Sequence, residues 1–99
     1  MNAKDRRKAI AERRIRELYR LALMHIHDKE LSRYYISLML GIRNHYKVKL
    51  SKEIKSYICK YCKLPLYPGV TASVRLVSSH GYLAYRCLSC NRERHIFYK

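Results

Sequence analysis

The chain is short of the residues from which small active sites are usually built. Its 99 residues hold seven acids, three glycines, two prolines, one phenylalanine and no tryptophan. So few glycines leave no glycine-rich phosphate loop. Most of the acids fall within the first thirty residues, and no carboxylate pair stands out for acid–base or metal-ion work. The histidines (His25, His27, His45, His80 and His95) form neither an HExxH nor an HxE motif, so there is no signature of a zinc hydrolase or zinc deaminase. They read as surface or packing residues. No apolar run approaches the ~18–20 residues of a membrane-spanning helix. The N-terminus is charged from Lys4 onward and lacks the apolar centre of a signal peptide. The expectation is a cytosolic or nuclear protein with no membrane partner and no catalytic site of its own.

What the chain does have is sulfur in a pattern. Its four cysteines form two matched pairs, Cys59-Lys60-Tyr61-Cys62 and Cys87-Leu88-Ser89-Cys90, with 24 residues between them. Thiolates at i and i+3 can grip one ion when the backbone between them turns tightly, and two such knuckles close a tetrahedral Cys₄ site around one Zn²⁺. A closed site is structural, because no position is left for water or substrate. It also suits the length: the 40-odd residues around the cysteines are too few for a large apolar core, and metal ligation adds folding energy on the order of 10–16 kcal/mol in small zinc peptides. Paired disulfides remain the other reading, chiefly for an oxidising compartment or a hyperthermophile cytosol. The residue after each second cysteine tends to be left-handed. Asn91 suits that position; Lys63 suits it less.

The chain divides into unlike parts, and the fold class expected is α+β. From about Asp5 to Tyr46 there is no proline and only one glycine, Gly41. Apolar residues recur at helical spacing, first as Ala11, Ile15, Leu18, Ala22 and Ile26, then as Leu31, Tyr35, Leu38, Ile42 and Tyr46. Asp28 is a candidate N-cap for the second run. The pattern predicts an antiparallel two-helix hairpin, helices about 5–26 and 29–46, within a unit spanning 1–46. Each helix has more than one apolar stripe, so part of this surface packs on the rest of the chain or on a partner. Residues 47–56 read as a basic connector. From Tyr57 the period becomes two: residues 70–77 and 82–87 alternate as strands around a turn at Ser78-Ser79-His80-Gly81, and His95–Tyr98 suit a last short strand. A β-hairpin between two cysteine pairs makes residues 57–99 a zinc ribbon.

Charge is the second strong signal. Twenty-two Lys and Arg against seven acids give +15. A small protein with that excess is neutralised by a polyanion, usually nucleic acid. One cluster lies in the first helix, where Glu12 and Glu17 offset part of it. A second cluster follows Arg43 with Lys47, Lys49, Lys52, Lys55, Lys60 and Lys63 around the connector and first knuckle, and a third is Arg75, Arg86, Arg92 and Arg94 on the ribbon. These are the candidate phosphate-contacting residues. Tyr57, Tyr61, Tyr67, Tyr82 and Tyr85 are among the tyrosines of the ribbon half, where tyrosine serves as core or stacks on an unpaired base. Nothing in the pattern reads as base-specific.

The order of these features resembles one family. Two basic helices, Arg33-Tyr34 near the start of the second, a lysine-rich connector, Cys-x₂-Cys, Leu66-Tyr67-Pro68-Gly69, Val74-Arg75 and a second Cys-x₂-Cys are similar to the zinc-ribbon protein subunit of archaeal ribonuclease P, protein component 4, which is related to a eukaryotic nuclear subunit. The missing glycine after Cys90 departs from the family pattern. The resemblance implies an accessory subunit in the archaeal cytoplasm. It would help a catalytic RNA remove the 5′ leader of precursor tRNA, touching that substrate only indirectly. It also implies one structural Zn²⁺ on Cys59, Cys62, Cys87 and Cys90, and a small β-barrel protein subunit as partner. That partner would dock on Ile15, Leu18, Leu31, Tyr35 and Leu38, while connector and ribbon face the RNA. A basic zinc ribbon of the ribosome or transcription machinery is the alternative, and a free-standing metal hydrolase would need an open metal position that the cysteine pattern does not offer.

Overall fold

The computed structural model describes residues 2–98; Met1 and Lys99, the outermost residues of the two expected units, lie outside the described residues. Helix α1 runs Ala3–Met24 and α2 runs Lys29–Tyr46. Asn2 caps α1 through Oδ1, which accepts from Asp5 N–H at 2.8 Å. Asp28 caps α2 as expected: its Oδ1 accepts from Leu31 N–H at 3.2 Å and its carbonyl from Ser32 N–H at 2.9 Å. Of the expected first stripe, Ala11, Ile15 and Ala22 are buried in α1, Leu18 is half-buried, and Ile26 is buried just past the end of the helix.

Helix α2 is rotated from the expected register. Its buried residues are Ser32, Ile36 and Met39, whereas Leu31, Tyr35 and Ile42 are half-buried and Leu38 and Tyr46 are exposed. The cause is Ser32. Its hydroxyl donates to the Ala22 carbonyl at 2.9 Å, and this hydrogen bond offsets the cost of burying a polar side chain between the helices. Two small residues facing one another, Ala22 and Ser32, are both fully buried where α1 meets α2.

The connector is part of this core rather than a free linker. Lys47 ends α2 in the left-handed conformation (φ 53°), and Val48 N–H returns to the Arg43 carbonyl at 3.3 Å. Val48 turns inward and is buried. Ser51 then caps a one-turn helix α3, Lys52–Ser56, whose Ile54 is also buried. The apolar residues of the connector hold it to the hairpin while its four lysines stay outside.

The ribbon contains two small antiparallel sheets. Strands β1 (Ile58–Cys59) and β2 (Leu64–Pro65) pair across the first cysteine pair. Strands β3 (Ala72–Val77), β4 (Tyr82–Cys87) and β5 (Glu93–Phe97) form a meander in the order β3-β4-β5. The turn falls where expected and closes on Gly81 at φ 73°. Strand β1 straddles two cores, because Ile58 packs with the helices and Cys59 with the ribbon. Strand β2 packs on both α1 and α2. The sheet departs from simple alternation: only Ala72 of β3 is buried, and Val74 and Leu76 on the same face are exposed, since among the described residues no second layer covers the far end of the hairpin. Among the described residues, no helix is long and apolar enough to cross a membrane.

A candidate metal centre and its cationic surround

Each cysteine pair sits in a turn whose backbone shape the metal reading requires. Lys63 N–H donates to the Cys59 carbonyl at 2.8 Å, and Asn91 N–H to the Cys87 carbonyl at 2.7 Å. Both donors lie in the left-handed region, Lys63 at φ 54° and Asn91 at φ 62°. Lysine takes this conformation at a modest cost because the turn and the strand pair behind it leave no other path. The two knuckles are thus alike although their sequences differ.

The turns bring four sulfurs together. Cys59 Sγ lies 3.7 Å from Cys90 Sγ, and Cys87 Sγ lies 3.7 Å from Cys62 Sγ. All four lie within 4.8 Å of one another. A disulfide needs sulfurs about 2.05 Å apart, and none of the four is so joined. Four Zn–S bonds of about 2.3 Å in a tetrahedron separate their sulfurs by about 3.8 Å. The donor set therefore fits a tetrahedral thiolate-binding ion in number, type and spacing.

The sulfurs differ in their surroundings. Burial, reinforced by the neighbouring thiols, pushes the Cys62 thiol up to about 12. Burial also raises Cys59, although the backbone N–H groups of Cys62 and Tyr61 oppose it. The backbone N–H of Arg92 lowers Cys90 to about 7. Backbone donors aimed at sulfur are what a metal-bound thiolate needs, because they stabilise its negative charge.

Several contacts outside the sulfurs hold the two knuckles in place. Arg33, on α2, donates from Nε to the Cys62 carbonyl at 2.9 Å, tying the hairpin to the first knuckle. Thr71 is buried: its hydroxyl donates to the Pro65 carbonyl and accepts from Tyr67 N–H at 2.8 Å, while its own carbonyl accepts from Leu88 N–H at 2.9 Å. One threonine thereby fastens the Leu66–Gly69 loop to the second knuckle. The Arg92 guanidinium lies 3.3 Å from the centroid of the Tyr61 ring, joining one knuckle to the other across the cluster.

The expected cations fall in three places. Lys47, Lys49, Lys52 and Lys55 are exposed along the connector, and Lys60, Lys63 and Arg92 are exposed on the knuckles. Among the described residues none of these seven makes an ion pair. The remaining ribbon arginines do not share one surface. Register puts Arg94 opposite Tyr85 and Val74 on one sheet face, and Arg75 and Arg86 on the other. Arg75 Nη2 is also 3.5 Å from Glu93 Oε1. Of the expected docking residues, Ile15 is corrected: it is 3% exposed inside the helical core and has no outward surface. Leu18, Leu31 and Tyr35 are half-buried, and Leu38 is exposed.

Comparison with known proteins gives this arrangement a family. The RNAse P Rpr2/Rpp21/SNM1 subunit domain matches residues 14–91. Ribonuclease P protein component 4 of Methanosarcina acetivorans is 36% identical over 91 residues, covering 91% of this chain and 83% of the relative. The protein of the same name from Pyrococcus furiosus is 35% identical over 91 residues, covering 90% of this chain and 78% of the relative. A chain in the cryo-EM structure of archaeal ribonuclease P with mature tRNA superposes with a TM-score of 0.80 at 29% identity, over 88% of this chain and 75% of that one. The structure of Pfu Rpp21 superposes with a TM-score of 0.65 at 32% identity, over 87% of this chain and 97% of that one. These matches favour the ribonuclease P reading over the ribosomal or transcriptional one.

Proposed function

The chain belongs to the RNase P Rpr2/Rpp21/SNM1 subunit family, and from that premise we propose how it works as a non-catalytic protein subunit of archaeal ribonuclease P. The RNA carries the chemistry that removes the 5′ leader of precursor tRNA. This chain contributes a rigid cationic surface to the complex. A Zn²⁺ held by Cys59, Cys62, Cys87 and Cys90 supplies cross-linking of the two knuckles and no reaction chemistry, since a full set of thiolates leaves no open position.

Everything else is done by side chains. The knuckle turns, Thr71 and the Arg92–Tyr61 contact fix the ribbon; Arg33 and β2 fix the ribbon to the helices. The connector lysines, Lys60, Lys63 and Arg92 then stand at set distances and neutralise phosphates where RNA segments approach one another. Arg75, Arg86 and Arg94 extend that surface over both sheet faces. The half-exposed apolar residues of the hairpin, Leu18, Leu31, Tyr35 and Leu38, receive the small β-barrel protein subunit. Residence in the cytoplasm follows from work on precursor tRNA in an archaeal cell.

One observation carries the RNA-facing assignment: seven exposed cations on the connector and knuckles have no carboxylate partner among the described residues. The test is binding of the full chain to the ribonuclease P RNA, with Lys49→Glu/Lys52→Glu and Lys60→Glu/Lys63→Glu variants. Each double variant is expected to bind at least tenfold more weakly with its helical and ribbon spectra unchanged. Wild-type affinity in both would remove the connector and first knuckle from the RNA contact.

A further inference from the structure

The face of the β3-β4-β5 sheet that carries Arg75 and Arg86 also carries a row of rings. Register places Val77, Tyr82 and Phe97 in one row across the sheet, Arg75, Ala84 and His95 in the next, and Ser73, Arg86 and Glu93 in the third. The His95 ring lies 4.1 Å from Tyr82 at an interplanar angle of 16°, and the His80 ring 6.0 Å from Tyr82 at 13°. Phe97 meets Tyr82 edge-on at 5.3 Å and is 65% exposed. Three nearly parallel rings with a bare fourth on the edge strand form an aromatic step in which Tyr82 is half-buried and His80, His95 and Phe97 are exposed.

This step has a cationic neighbour at a useful distance. Ala84 is small, and a shallow cavity of about 340 Å³ opens there between Ser73, Arg75, Arg86 and Glu93. Arg75 is engaged with Glu93, whereas Arg86 has no carboxylate partner among the described residues. The Arg86 row lies one pleat period, about 7 Å, from the His95 row. A flat ring system on the aromatic step would thus carry its own phosphate within reach of Arg86.

We infer that this sheet face binds an unpaired nucleotide of RNA, its base stacked on the Tyr82–His95–Phe97 step and its phosphate on Arg86. The inference rests on the RNA-binding reading and adds to it, because phosphate contacts alone do not distinguish paired from unpaired strands. An aromatic patch inside a surface of this positive charge suits a polyanion bearing planar rings better than an apolar protein face. Stacking tolerates any base, so the site selects for an unpaired base and not for a sequence.

The test measures binding of the full, zinc-loaded chain to three probes: a 12-mer oligoadenylate, an RNA duplex of 12 base pairs and the ribonuclease P RNA. Phe97→Ala and His95→Ala are exposed changes and are expected to retain the native fold. Each is expected to weaken oligoadenylate binding about 5- to 100-fold and duplex binding less than about threefold, with Phe97→Tyr restoring wild-type affinity. Equal losses on single strand and duplex would overturn the inference, as would no loss on the single strand. Failure of the wild type to bind oligoadenylate while it binds the ribonuclease P RNA would sink this site and spare the wider reading. Failure to bind any probe would sink both. Loss of protein-partner capture with unchanged oligoadenylate affinity would reassign the face to a protein contact.

Discussion

The two halves of this molecule solve the problem of small size in different ways. The hairpin and connector bury a continuous set of ordinary side chains, including Ala11, Ile15, Ala22, Ile36, Met39, Val48, Ile54 and Ile58. The ribbon core is Cys59, Leu66, Ala72, Tyr85 and Cys87, and two of those five residues are sulfur donors of the candidate metal site. Without the sulfur its buried part is one leucine, one alanine and one tyrosine, with Tyr57, Leu83 and Ile96 half-buried against them, a small apolar surface for three strands. The helical half is held by packing; the ribbon has four clustered thiols where that half has apolar side chains. That difference determines which half each perturbation breaks.

The largest effect is expected from the metal. Cys59→Ser or Cys87→Ser should abolish the β3-β4-β5 sheet and weaken binding to the ribonuclease P RNA by at least about 100-fold, while α1 and α2 keep their helical signal; circular dichroism with titration of the RNA checks both. Acid should act in the same direction. The Cys62 proton, held up to about 12 in the metal-free site, must leave for zinc to bind, so zinc affinity weakens as pH falls. Zinc titrations from pH 8 to pH 5 check the sign.

The converse perturbation comes next. Ile36→Ala or Met39→Ala opens a cavity in the helical core and should destabilise that half by about 2–5 kcal/mol. Zinc should remain bound, so thermal unfolding followed by helical signal should shift while zinc stoichiometry does not. An intermediate effect is expected from ionic strength. Contact with roughly 4–6 phosphates gives a log–log slope of affinity on salt of about −3 to −5. A flat response would mean that the exposed cations are not what holds the RNA. The smallest effect is expected at the seam. Arg33→Ala removes one exposed hydrogen bond to the Cys62 carbonyl, worth about 1 kcal/mol or less. Stability of each half should barely change, but their unfolding transitions should separate further in temperature.

The same contrast explains what could be read from the sequence. The cysteine spacing, the Asp28 cap and the α1 stripe are local signals, and each holds in the structure. The strand periods and the hairpin turn were legible for the same reason. The α2 stripe was not, because its buried centre includes Ser32, whose letter is polar and whose partner, the Ala22 carbonyl, lies on another helix. The connector looked like a basic linker because its charge conceals Val48 and Ile54, which the left-handed turn at Lys47 and the Ser51 cap direct inward. Assigning Ile15 to a docking surface failed similarly: spacing identifies an apolar face but does not say which of its residues the second helix covers. Arg33 acts through a backbone carbonyl distant in sequence, Thr71 through its own carbonyl to the distant Leu88 N–H, and the aromatic step depends on sheet register. None of these leaves a trace in local composition.

Amide hydrogen exchange of the full chain, with and without a zinc chelator, tests the central claim most directly. Chelation should release protection in Ala72–Val77 and Tyr82–Cys87 to the level of an unfolded chain while the interior of α1 and α2 stays protected. Strands that remain protected in the metal-free protein would contradict the account, because the ribbon would then hold its shape without the ion assigned to it.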